Sequence, residues 1–169
     1  MTPDRERIAV LRIAAAIILA ALVALFVIAR LRYSGTAPVK LPAGNCDASL
    51  WMHVSDKDRL RIIEPCTAVE GRVVTTHRAL DGDLHIGLDP DDKHVLNLIN
   101  ATHGRGELVV EIICEHAPAK AAEQAACGSY RSTATIPKAG DRVRVTGAYV
   151  TDRDNGWNEV HPVTRIEIR

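Results

Sequence analysis

Leu108-Val-Val-Glu-Ile-Ile-Cys114, the alanine-rich Ala117–Ala126 and Arg142-Val-Arg-Val-Thr-Gly-Ala-Tyr-Val150 read in order as strand, short helix and strand. The first run is apolar apart from Glu111. The helix follows from alanine content around Pro118, a residue favoured in a first helical turn. In the last run Val143, Val145 and Gly147 alternate with Arg144, Thr146 and Ala148, the period-two pattern of a strand with one buried face.

Upstream, Ala68–Leu80 is a β-rich run with Gly71 as a bend or bulge. Asp81-Gly82 then supplies a tight turn. Leu84, Ile86 and Leu88 alternate with Asp83, His85 and Gly87 in the next strand. Downstream, Trp157–Ile168 completes the set, with Pro162 marking a bulge or an edge. Five strands with a helix between the third and fourth give a mostly β domain, the order of a five-stranded OB-fold-like barrel with short helices. Between Cys46 and this barrel, Ser55–Ile63 reads as a short helix capped by Ser55 and stopped by Pro65. In the long loop Asp89–Gly106, Val95–Asn100 reads as a helical turn.

The N-terminus has a different character. Seventeen consecutive apolar residues, Ile13–Ala29, lie between Arg12 and Arg30 without Gly or Pro. A bilayer core takes about 20 residues of helix, and Ile8–Leu11 extends the run if Arg12 snorkels. The run exceeds the usual apolar region of a cleaved signal peptide. Residues 1–32 therefore read as one transmembrane anchor, 33–45 as a Pro- and Gly-containing linker, and 46–169 as the barrel domain. Membrane contact is expected through residues 13–29.

Flanking positive charge does not set the orientation, since three basic residues lie on each side. Cysteine does. Cys46, Cys66, Cys114 and Cys127 are even in number, lack CxxC spacing and all follow the anchor, which suits two disulfides in an oxidising compartment. Four cysteines allow three connectivities. The simplest joins neighbours, Cys46–Cys66 and Cys114–Cys127. The expected localisation is the cytoplasmic membrane, single-pass, with the domain outside the cytoplasm.

Net charge is zero over the chain, but residues 33–169 hold sixteen Lys/Arg against nineteen Asp/Glu. Nucleic-acid binders carry a basic face and several stacking aromatics. Here the domain is acidic and its barrel offers Tyr130, Tyr149 and Trp157, so nucleic acid is not the favoured partner. The chain has no Walker loop, GxSxG or GxGxxG, and Asp89-Pro-Asp-Asp92 lacks the later ligands of an EF-hand.

Two polar clusters remain. On the last strand Trp157, Glu159 and His161 share one face, a carboxylate and an imidazole that can bind a ligand, hold a metal or transfer protons. Arg72 and Arg144 would add a small basic patch. On the hairpin, His77 faces His85 across the turn beside Asp81 and Asp83. His77, His85, Glu159 and His161 together would form a His/carboxylate site for a divalent metal, the one cofactor these residues admit. Hairpin-tip acids such as Asp81 and Asp83 are commonly just solvated turn residues.

Glu70-Gly-Arg-Val-Val, Asp81-Gly-Asp-Leu-His-Ile, Leu108–Cys114, Gly140–Asp152 and the closing Gly156-Trp-Asn-Glu-Val-His-Pro-Val163 follow one another in an order that resembles uncharacterised bacterial and archaeal stand-alone domains of the nucleic-acid-binding OB-fold type. The resemblance spans roughly residues 60–169 and implies a fold without an assigned reaction. The expectation drawn from all of this is a non-catalytic binding module for an oligomeric polyanion, a glycan or a protein. The alternatives are a metal-assisted phosphodiester hydrolase and a structural subunit of an envelope complex.

Overall fold

The computed structural model describes residues 12–25 and 45–169, and the chain divides into two compact units, Met1–Ala37 and Pro38–Arg169. In the first unit residues 12–25 form a helix, α1. Residues 1–11 and 26–32 of the expected anchor lie outside the described residues, as does most of the expected linker. Among the described residues no helix is long and apolar enough to cross a membrane.

The second unit is a closed five-stranded barrel. Its strands are β1 (Leu60–Arg78), β2 (Leu84–Pro90), β3 (Leu108–Ile112), β4 (Arg142–Asp152) and β5 (Asn158–Ile168). They close in the order β1-β2-β3-β5-β4, every pair antiparallel except β3 with β5. Closure leaves no sheet edge to be protected. Two short helices complete the unit, α2 (Leu98–Thr102) in the loop after β2 and α3 (Ala121–Cys127) between β3 and β4.

Alternation along the strands produces two cores on opposite sides of the barrel wall. Leu84, Ile86, Leu88, Val110, Ile112, Val143, Val145 and Val160 fill the interior. Ile113, just past β3, and Ala148 and Val150 of β4 lie on the opposite side of the wall and pack under Leu50, Val54 and Leu60 with Cys114 and Cys127. Residues 45–60 and α3 thus form a cap on the outside of the wall. His53 holds them together: its ring stacks on Tyr130 at 4.3 Å and its Nδ1 lies 3.1 Å from the Ala126 carbonyl oxygen. Disulfides Cys46–Cys66 and Cys114–Cys127 tie the cap to the wall.

The helix expected over Ser55–Ile63 is not formed. A 3-10 segment Ala48–His53, capped by Asp47, comes earlier, and a second covers only Lys57–Arg59 before β1 begins at Leu60. Pro65 does not stop an element. It lies inside β1, within the second of two register shifts, Ile62/Glu64 and Glu64/Thr67, that each insert an extra β1 residue opposite β4. A bulge leaves a residue unpaired, so the missing N–H of proline costs no ladder bond there.

β5 has a matching irregularity. Tyr149 pairs with Val160 and Gly147 with Val163, so β5 gains one residue around His161-Pro162. Gly147 faces this bulge, and a Cβ there would stand 2.5 Å from the Pro162 carbonyl oxygen. The long loop is pinned at Asn97 and Asn100. Asn97 caps α2 in a reciprocal capping box. Asn100, fully buried, donates to the carbonyls of Glu107 and Asn158 and accepts from the backbone N–H of Asn158 and of Asn97.

Candidate functional site

The parallel pairing of β3 with β5 builds the polar site. Val109 is opposite Glu159 and Val110 opposite Val160. Two residues further on, on the wall's outer face, Glu111 and His161 are brought side by side. On its other flank Glu111 is paired in register with His85 of β2. Asp83, just ahead of β2, joins from the same side. Asp83, Glu111 and His161 each offer one ligand atom, and these atoms lie within 4.8 Å of one another.

The group is buried: Glu159 is 0%, His161 2%, Glu111 3% and Asp83 9% exposed. His161 Nδ1 is 2.6 Å from Glu111 Oε2 and 3.3 Å from Glu159 Oε1. His85 Nε2 is 3.5 Å from Glu111 Oε1. None of these contacts is aligned as a hydrogen bond. Both ring nitrogens of His161, Glu111 Oε2, Glu159 Oε1 and His85 Nε2 lack a hydrogen-bond partner. Other atoms of the group are held. Trp157 Nε1 donates to Glu159 Oε2 at 3.0 Å, and the Cys114 N–H donates to Asp83 Oδ1 at 2.7 Å.

The electrostatics follow from burial set against mutual charge. Burial pushes Asp83 up to about 6, against the Cys114 N–H that favours its anion. Burial also raises Glu159, opposed by the His161 imidazole beside it. Burial acts in the same direction on Glu111, but the His161 charge beside it, with His85 and Arg59, brings Glu111 down to about 2. For His161 burial, the largest single effect, disfavours the cation, but the Glu111 and Glu159 carboxylates together outweigh it, so the imidazole is pushed up to about 10. Arg59 ion-pairs with the buried Asp152 and adds a cation on this side of the wall.

The residues expected from sequence divide into two sets. Glu159, His161 and His85 converge, with Trp157 attached through its indole N–H. Glu159 and His161 are too deeply buried to meet a large ligand. His77 does pair with His85 in register, but it is exposed and contributes no atom to the converging group. Arg72 and Arg144 lie elsewhere. Arg72 donates to the Gly140 carbonyl, and Arg144 sits 3.3 Å from Glu70. Arg144 is six residues from Val150, the partner of Glu159, or about 20 Å along the strand.

Asp83 and Glu111 are central here, where sequence gave Asp83 a solvated turn and Glu111 no role. The signal for Glu111 was present: a single acid inside an apolar strand is costly to bury without a partner.

A separate cleft of about 410 Å³ opens beside the cap. Its walls are Trp51, Asn45, Asp47 and Thr164, over a floor of Pro65, Pro162 and the Cys46–Cys66 bridge. Compared with known proteins, the sequence matches no family model and no curated relative.

Proposed function

We propose that this chain is a single-pass membrane protein that displays an OB-type barrel outside the cytoplasm as a non-catalytic module for binding a neutral oligosaccharide. The OB assignment is supported by the closure order β1-β2-β3-β5-β4 with a helix between β3 and β4. The anchor is supported by the apolar run Ile13–Ala29. Two disulfides support an oxidising compartment.

The observation that carries the function is the chemistry of the cleft. Trp51 offers an amphipathic aromatic surface, and Asn45, Asp47 and Thr164 offer an amide, a carboxylate and a hydroxyl for hydroxyl groups. No Lys or Arg lines it, which disfavours a polyanion. Phosphodiester hydrolysis would require the His/carboxylate group to face a substrate, whereas that group is covered.

The test is a titration of the full chain, in mild detergent, with neutral oligosaccharides, followed by tryptophan fluorescence. Binding lost in Trp51→Ala and retained in Trp157→Phe supports the reading. Binding of sulfated or phosphorylated oligomers alone, falling steeply with salt, would replace it with a polyanion ligand.

A further inference from the structure

We propose that Asp83, Glu111 and His161 form the ligand set of a buried divalent transition-metal site on the outer face of the barrel wall, with zinc as its ion. This goes beyond the binding reading, whose cleft is lined by other residues, so either can fail without the other.

The alternative to a metal is a self-contained ion triad of His161 between Glu111 and Glu159. Such a triad should satisfy its own polar atoms, because buried polar groups are almost always paired. Here His161 Nδ1 contacts both carboxylates as ion pairs, but the atoms without an aligned hydrogen bond are concentrated in one place. Both His161 ring nitrogens, one oxygen each of Glu111 and Glu159, and His85 Nε2 are buried without hydrogen-bond partners. Among the described residues only Glu123 and Thr146 have further buried side-chain atoms in that condition. One cation held between an imidazole nitrogen and carboxylate oxygens would satisfy several of these atoms at once.

The donor set and its placement point to the type of ion. An imidazole with carboxylates suits a first-row transition ion and excludes one that needs only hard oxygen donors. Zinc also has no redox chemistry to be disturbed in an oxidising compartment. The ligands come from the residue before β2, the end of β3 and the bulge of β5, so the folded wall prearranges them. Tetrahedral bonds near 2.1 Å place donor atoms about 3.4 Å apart, so the observed atoms, within 4.8 Å of one another, close in by up to about 1.4 Å when the ion binds. Two ionised carboxylates would neutralise the ion. Glu159, fixed by the Trp157 N–H and 3.3 Å from His161 Nδ1, is placed to orient the imidazole in the way outer carboxylates orient metal-bound histidines.

The experiment uses the full chain without a polyhistidine tag, stripped with chelator and dialysed against zinc, then assayed for metal by elemental analysis and for thermal midpoint. The wild-type chain is expected to retain about one zinc per chain and to melt higher with it. Asp83→Asn keeps an oxygen to accept the Cys114 N–H and so is expected to fold, while holding at least about tenfold less zinc. Glu111→Gln should behave alike, and His77→Ala should bind as wild type. A wild-type chain with no bound metal and no shift of its midpoint would overturn the proposal. Zinc retained undiminished by folded Asp83→Asn would overturn it equally.

Discussion

Replacing Asn100 by leucine, which has nearly the same shape and no polar atoms, should be among the most destabilising single changes in the barrel. All four hydrogen-bonding positions of the side-chain amide are used, and two of them meet the N–H and carbonyl of Asn158. Asn158 is itself buried, so water cannot take over those bonds without opening the start of β5. Each buried backbone group left unpaired costs about 1–3 kcal/mol, which gives about 2–6 kcal/mol for the two groups on Asn158 alone. A domain of this size has a total stability of about 5–15 kcal/mol, so the loss is a large fraction of it. The assay is urea unfolding of the full chain with disulfides intact, followed by far-UV circular dichroism. Asn100→Asp should also destabilise, because a carboxylate would face two carbonyl oxygens. A loss below about 1 kcal/mol in Asn100→Leu would refute the reasoning, since it would mean that water or backbone movement satisfies Asn158 at little cost.

Gly147→Ala should destabilise by about 1–3 kcal/mol, read as a lower urea midpoint, because its Cβ would meet the Pro162 carbonyl at 2.5 Å and Val160 Cγ1 at 2.7 Å. In the metal-free chain, stability should have its maximum on the acid side of neutrality. Asp83, raised from 3.8 to about 6, makes the fold gain stability as pH falls from about 6 to about 4. Glu111, lowered from 4.5 to about 2, makes a contribution that is present above 4.5 and lost as pH falls towards 2. His161, raised from 6.5 to about 10, makes one that is full below 6.5 and lost as pH rises through 10. Denaturant midpoints across pH check this, and a profile for Asp83→Asn that still rises between pH 6 and 4 as in wild type would contradict the assignment.

Much of the barrel is legible in the sequence because alternation is a local signal. Leu84, Ile86 and Leu88 against Asp83, His85 and Gly87 give β2 and its faces directly. The first half of β1 was hidden because Ser55, the acids after it and Pro65 imitate the start and stop of a helix. Only pairing with β4, about ninety residues away, shows that Pro65 falls in a bulge. The site was half legible for the same reason. Glu159 and His161 share a face by spacing within one strand. Adding Glu111 needed the parallel contact of β3 with β5, and nothing local in either strand announces that register. His77 shows the reverse error: its pairing with His85 was foreseeable, but the part of the hairpin it occupies is exposed.

The Cys46–Cys66 bridge has a mechanical consequence. Cys66 sits within β1, which is bonded to both β2 and β4, and Cys46 lies at the start of the described domain. Tension arriving along the chain from the N-terminal side therefore passes through sulfur into the middle of a strand, bypassing residues 47–65. The 3-10 segments and the cap carry none of that load. Such a pull would be met by β1 shearing against its neighbours, which resists far better than a short segment peeling away, and reduction of this one bond would transfer the pull to the cap.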